Sequence, residues 1–167
     1  RPEEAAISYR KTLKLNPKRT ESYNNLGLVL HELGRFEEAE FSYKNAISWK
    51  PEFAEAYYNL GNTLKALNKF EDAEINYKQA IALRSKYVDA HYNLGNTLFN
   101  LRDFKKAKSI YESALKLNPD DKYLSHMISS LTGKNEKTAP REYVISLFDN
   151  FANKFDDFLT ENLKYKV

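Results

Sequence analysis

Residues 54–87 read AEAYYNLGNTLKALNKFEDAEINYKQAIALRSKY, and the same pattern recurs on either side without a gap. Residues 20–53 read TESYNNLGLVLHELGRFEEAEFSYKNAISWKPEF, and residues 88–121 read VDAHYNLGNTLFNLRDFKKAKSIYESALKLNPDD. A fixed period of 34 residues marks a helical solenoid, in which no unit buries its apolar face alone and stacked neighbours build one continuous core.

The repeated positions alternate large and small. The first half of each unit carries Tyr23, Tyr57 or His91, then Leu26-Gly27, Leu60-Gly61 or Leu94-Gly95, then Leu30, Leu64 or Leu98. The second half carries Ala39, Ala73 or Ala107, then Tyr43, Tyr77 or Tyr111, then Ala46, Ala80 or Ala114. Pro51 and Pro119 close two units, and Ser85 stands in for that proline in the middle one. These positions resemble the tetratricopeptide repeat (TPR) family. The resemblance implies an all-α, right-handed superhelix of antiparallel helix pairs.

Local chemistry agrees with a helix pair. Leu26 and Leu30 lie four apart and share a helical face. Gly27 lacks a Cβ and lets a neighbouring helix approach closely, at a cost of about 1 kcal/mol of helix propensity relative to Ala. Tyr43, between Ala39 and Ala46, is expected to fill the gap between units. Gly34 suits a helix C-cap, and Asn68 at the same place tolerates the left-handed conformation. Arg102 tolerates it less well, so a different turn is expected at 101–103.

Composition narrows the function classes. The net charge is +3, with both signs interspersed, as on a solvated helical surface rather than a nucleic-acid footprint. The chain has no Cys, which removes disulfides and thiolate metal sites and is compatible with a reducing, cytoplasmic compartment. No apolar run reaches the roughly 18–20 residues that span a bilayer, so no membrane role is expected. Arg1 opens the chain in mid-repeat, as in a piece of a longer protein.

The flanks complete the organisation. Residues 1–19 match the second half of a unit, with Ala5, Tyr9, Thr12 and Pro17 where the next block has Ala39, Tyr43, Ala46 and Pro51. Without its partner helix, this end either frays or is covered by another chain. Residues 122–133 break the period and place Tyr123, Leu124, Met127, Ile128 and Leu131 on one helical face, a capping helix. Residues 134–139 are polar and read as a linker. Residues 140–167 form a Phe-rich amphipathic helical tail. Phe148, Phe151, Phe155 and Phe158 make a stripe that must be buried on the solenoid, a second copy or another domain.

The functional candidates lie in the first helices. Asn25, Asn59 and Asn93 occupy one position of successive units, and the TPR resemblance places that position in the concave groove. A side-chain amide offers one acceptor and two donors, which suits gripping the backbone of an extended peptide. The row resembles the asparagine ladder of O-linked N-acetylglucosamine transferases. The alternative is that these amides bridge neighbouring helices. Asn62 and Asn96 widen the strip, Leu28 interrupts it in the first unit, and Tyr58, Tyr92 and Lys65 lie around it. Glu21, Glu55 and Asp89 near the helix starts complement the helix dipole or select a basic or polar ligand. The carboxylate clamp of chaperone-tail TPR domains is disfavoured, because Asn24, Tyr58 and Tyr92 stand where its first Lys would be.

Catalysis has no visible apparatus. His31, His91 and His126 are far apart in the repeat frame, with His91 at a packing position and His31 expected to be exposed. No catalytic constellation, metal-ligand set or phosphate-binding motif is evident, so neither cofactor nor metal is expected. The tail, PREYVISLFDNFANKFDDFLTENLKY, resembles the segment that opens the methyltransferase half of bacterial TPR–methyltransferase proteins. That likeness implies a parent enzyme dependent on S-adenosylmethionine, with this chain as its substrate-recruiting arm and inactive by itself. The expected partner is thus a protein or peptide held by the concave face. Self-association through the open first helix or the Phe-rich tail is a third reading.

Overall fold

The structure, a computed structural model, describes residues 1–132. The 140–167 tail, its Phe stripe and the 134–139 linker lie outside the described residues. The chain divides into two compact units, residues 1–118 and a second beginning at Pro119. The described residues of the first form seven helices: α1 (Pro2–Leu15), α2 (Thr20–Glu32), α3 (Phe36–Trp49), α4 (Ala54–Ala66), α5 (Phe70–Leu83), α6 (Val88–Asn100) and α7 (Phe104–Leu117). In the second unit, α8 (Lys122–Leu131) buries Leu124 and Met127 and is capped by the Asp121 carboxylate, which accepts from the Leu124 amide at 3.0 Å.

Helices α2 and α3, α4 and α5, and α6 and α7 form tight pairs. At the centre of each, a Tyr ring lies on a glycine. A Cβ on Gly27 would sit 2.6 Å from a Tyr43 ring carbon, on Gly61 2.7 Å from Tyr77, and on Gly95 2.4 Å from Tyr111. The missing methyl lets the ring in. Overpacking at such a point costs about 1–3 kcal/mol, more than the roughly 1 kcal/mol of helix propensity that Gly sacrifices. Tyr43, Tyr77 and Tyr111 are at most 1% exposed. Each ring packs against the glycine of its own unit, so it seals the helix pair rather than the gap between units that the alternation of sizes indicates. Leu30, Leu64 and Leu98 close the same pairs from the first helix, each worth about 1.5–3 kcal/mol of burial.

Between units, α1 packs on α2, α3 on α4, and α5 on α6. Helix α1 thus packs on one side, against α2, where Leu13 and Ala6 are buried, while Ile7 and Leu15 remain exposed. The connections are alike. Arg19, Phe53 and Tyr87 each donate an amide hydrogen to the carbonyl three residues earlier, so Ser85 closes the same turn as Pro17 and Pro51. The second helices carry most of the ion pairs, such as Arg10–Glu38 at 2.8 Å and Lys69–Glu40 at 2.9 Å. On an exposed surface each is worth at most about 1 kcal/mol. Among the described residues, no helix is long and apolar enough to cross a membrane.

The turn inside each pair is the same in all three units, contrary to the different geometry expected at 101–103. Gly34, Asn68 and Arg102 have φ of 71°, 57° and 61°. The residue that follows each of them donates to Leu30, Leu64 or Leu98 at 2.8–3.0 Å. That shared bond imposes the left-handed conformation whatever the side chain. A non-glycine residue there carries a penalty of about 1–2 kcal/mol, partly offset by the lower chain entropy of Arg in the unfolded state. Arg102→Gly is therefore expected to raise stability by about 0.5–1 kcal/mol, measured by urea denaturation at unchanged m-value.

Candidate functional site

Helix α2 lies against α4 and α4 against α6, with closer backbone approach than between any two of α3, α5 and α7. The first helices therefore form the inner layer of the stack. Along it lie Asn25, Asn59 and Asn93, all half-buried.

Two of the three asparagines are engaged. Asn59 donates through Nδ2 to Oδ1 of Asn24 at 3.1 Å. Asn93 donates through Nδ2 to Oδ1 of Asn62 at 3.0 Å and to the Tyr58 hydroxyl at 3.2 Å. Its own Oδ1 accepts from Lys65 Nζ at 3.3 Å. These bonds tie α4 to α2 and α6 to α4. The asparagine row thus bridges helices, while the Asn25 amide makes no such bond.

Asn62 and Asn96 have a further duty. Their Oδ1 atoms each accept the hydroxyl of the buried tyrosine in the same unit, Tyr77 and Tyr111, at 2.7 Å. Burial pushes the Tyr77 phenol well above its ordinary range, with a smaller push from Tyr58, so it acts as a donor. In the first unit, Leu28 stands at this place and is 45% exposed. Tyr58 stacks against Tyr87, with ring centroids 4.8 Å apart, and Tyr92 is half-buried on α6. Glu55 pairs with Arg84. Burial alone would raise the Glu55 carboxyl, but the Arg84 hydrogen bond and charge hold it below its ordinary value.

Some participants are not evident from the repeat pattern. Asn24 is 7% exposed, and Thr63 and Thr97 are fully buried. The two threonines donate to the carbonyls of Asn59 and Asn93 at 3.0 and 2.8 Å. Their signal in the sequence was the Asn-Thr pair shared by the second and third units. His31 is half-buried rather than exposed. Its Nδ1 is 3.0 Å from Thr63 Oγ1, and its ring meets Phe36 edge-on at 5.1 Å. The Thr63 hydroxyl has one proton, so with that proton on the Asn59 carbonyl the His31 Nδ1 is the donor. His91 is 7% exposed, and its Nδ1 lies 3.0 Å from the Tyr87 carbonyl, a packing role. Among the described residues, no three His, Cys, Asp or Glu side chains converge as a metal site.

Two predictions follow from this network. Replacing Asn62 by Leu strands the Tyr77 hydroxyl in the core, at an expected cost of about 1–3 kcal/mol. Adding Tyr77→Phe should recover part of that loss, so a double-mutant cycle should show coupling between the two positions. The second prediction concerns pH. Burial, with a smaller effect from the Lys65 charge, lowers the His31 pKa below its ordinary 6.5. The unfolded chain therefore binds the proton more readily, and stability falls as pH drops below 6.5. Comparison with His31→Gln by thermal unfolding should show this component missing from the variant.

Family models described as TPR repeat or tetratricopeptide repeat match residues 29–68 and 61–101, 88–121, and 8–41. No curated protein matches the chain. Among solved structures, the crystal structure of MamA is 26% identical with a TM-score of 0.74, covering 96% of this chain and 90% of that one. YrrB, a TPR protein with an unusual peptide-binding site, is 24% identical with a TM-score of 0.68, covering 75% and 65%. The first TPR of Spaghetti, bound to an HSP90 peptide, is 23% identical with a TM-score of 0.65, covering 69% and 91%. These last two likenesses are of fold alone. Helix pairs at a 34-residue period, a glycine under each core tyrosine and matches across residues 8–121 place this chain in the tetratricopeptide repeat family.

Proposed function

We propose that the chain is a non-catalytic binding module whose inner layer of first helices holds an extended peptide or a segment of a partner protein. The observation that carries this reading is the side-by-side contact of α2, α4 and α6, which sets a polar, aromatic-edged row along one continuous face. The row offers the Asn25 amide, the side-chain Oδ1 of Asn59, and the ring faces of Tyr58 and Tyr92. Amide groups recognise peptide backbone through hydrogen bonds, and aromatic edges add contact area at low entropic cost. The peptide-bound Spaghetti domain and the peptide-binding YrrB have the same fold, so the fold is able to hold such ligands.

The test is binding to an array of unrelated peptides. Asn25→Arg/Leu28→Arg alters the inner face without touching the bonded asparagines. Phe41→Ser/Ile75→Ser alters two exposed apolar positions of the second helices. The inner-face variant is expected to lose binding at least tenfold at unchanged helicity, and the outer-face variant to keep it. The opposite pattern would move the binding surface to the second helices.

The motif in the tail favours a second reading, in which the groove recruits substrate for an S-adenosylmethionine-dependent methyltransferase. S-adenosylmethionine binding by the natural full-length product is the observation that would bring it forward.

A further inference from the structure

Exposed apolar residues gather on the second helices. Of the nine large apolar residues that stand exposed among the described residues, seven lie on α1, α3, α5 and α7. Three of them share one repeat position: Ile7 is 63% exposed, Phe41 69% and Ile75 64%. Scattered apolar residues need no explanation, but these recur every 34 residues, on helices that ion pairs hold side by side. Arg10 of α1 reaches Glu38 of α3 at 2.8 Å, and Lys69, at the start of α5, reaches Glu40 of α3 at 2.9 Å. The three residues therefore form one row across the outer layer. Helices α3 and α5 have units on both sides, so the exposure of Phe41 and Ile75 belongs to the face and not to an end of the stack.

The charges around the row follow one rule. The residues three and four before each apolar residue are acidic: Glu3 and Glu4, Glu37 and Glu38, Glu71 and Asp72. The residue three after it is a cation: Arg10, Lys44 or Lys78. On a helix these positions share the face of the central residue. Helix α7 carries the same face with the signs reversed: Lys105 and Lys106, then Ser109, then Glu112. The helix dipole favours acids in a first turn. It explains neither the two lysines that open α7 nor Lys44 and Lys78, which precede the last turns of α3 and α5. Much of this charge is not neutralised within the chain. Among the described residues, no cation lies within 4 Å of Glu37, Glu71 or Asp72.

Such a face is complementary to itself when turned end for end. With α3 antiparallel to its own copy, Phe41 meets Phe41, and Glu38 of each copy lies opposite Lys44 of the other. A parallel pairing of α3 with α3 or α5 would set acid on acid. Helix α5 matches its copy through Asp72 and Lys78, and α7 through Lys106 and Glu112. An antiparallel α7 on α3 or α5 would instead bring Glu112 onto an acid, so the reversed signs fix the register: each helix lies on its own counterpart. We infer that the outer layer is a homodimer interface, in which Ile7, Phe41 and Ile75 of one copy pack on the same row of a second across a two-fold axis running along the row. A two-fold contact uses one patch on both copies, so self-complementarity is what it requires. The surface lies away from the inner layer, and the inference stands independently of what the inner layer holds.

Sedimentation equilibrium of the whole chain reads the association. Wild-type protein is expected to dimerise with a Kd of about 10 μM, as suits a small interface. Phe41→Ser/Ile75→Ser should raise that Kd at least about tenfold at unchanged helicity. Charge reversal tests the register. Glu71→Lys/Asp72→Lys and Lys78→Glu should each weaken self-association. The two variants mixed together should form a heterodimer, because each supplies the sign the other lacks. Charge variants that do not recover on mixing overturn the inference, as does association that survives Phe41→Ser/Ile75→Ser. Growth beyond a dimer overturns it too, since a two-fold contact closes. A monomer at every concentration up to about 200 μM, well above the expected Kd, assigns the apolar row to a different protein and removes the homodimer.

Discussion

The contact on which the rest of this fold depends is a tyrosine ring laid on a glycine. It recurs at Gly27 and Tyr43, Gly61 and Tyr77, and Gly95 and Tyr111. Without it, the two helices of a unit cannot come close enough to share Leu30, Leu64 or Leu98 as a common core. The contact also has a polar consequence. A deeply buried phenol is favoured by an acceptor, and in the second and third units Asn62 and Asn96 supply it. Asn62 then receives Asn93 from the next helix, and Asn93 receives Lys65. The polar row of the inner layer is therefore an extension of the core packing.

This dependence explains why the three units are not equivalent. Where Leu28 replaces Asn62, the first unit has no amide at that position to take up the tyrosine hydroxyl, and Asn24 receives the neighbouring Asn59 instead. Asn59 and Asn93 each bond side chains of the preceding first helix, and among the described residues no such helix precedes α2, so Asn25 makes no bond of this kind. A ligand touching Asn93 competes with bonds the protein already makes. In a solenoid each unit contacts its nearest neighbours, so such a local difference stays local rather than averaging out.

The sequence pattern revealed the fold because the packing is periodic. Gly, Tyr and Ala recur every 34 residues, and each repeat repeats its physical reason. What the pattern conceals is which neighbour a buried side chain meets. Tyr43 reads as large between two small residues, and that alternation does not say whether the ring faces its own unit or the next. The Arg102 turn misleads for a related reason. Residue propensity argues for another geometry, yet the hydrogen bond from Asp103 to Leu98 outweighs roughly 1–2 kcal/mol of backbone penalty. His31 looks exposed in one dimension because its partner, Thr63, belongs to the next unit. Hydrogen bonds between units depend on rotamers and on stacking, and neither is written in a period.

The positions that build the repeat are the ones that stay the same, and those that change set one unit apart from the next. One position of the first helix shows this directly: it is His31, then Lys65, then Phe99. His31 turns into the stack and bonds Thr63. Phe99 is 37% exposed and meets Phe104 edge-on at 5.3 Å. Lys65 lies between them, reaching across to α6. A neutral imidazole, an ammonium and an aromatic edge thus succeed one another along one register of a continuous face. An extended ligand lying on that face would meet them in order, so its sequence would be read by the irregular positions while its backbone was held by the regular ones.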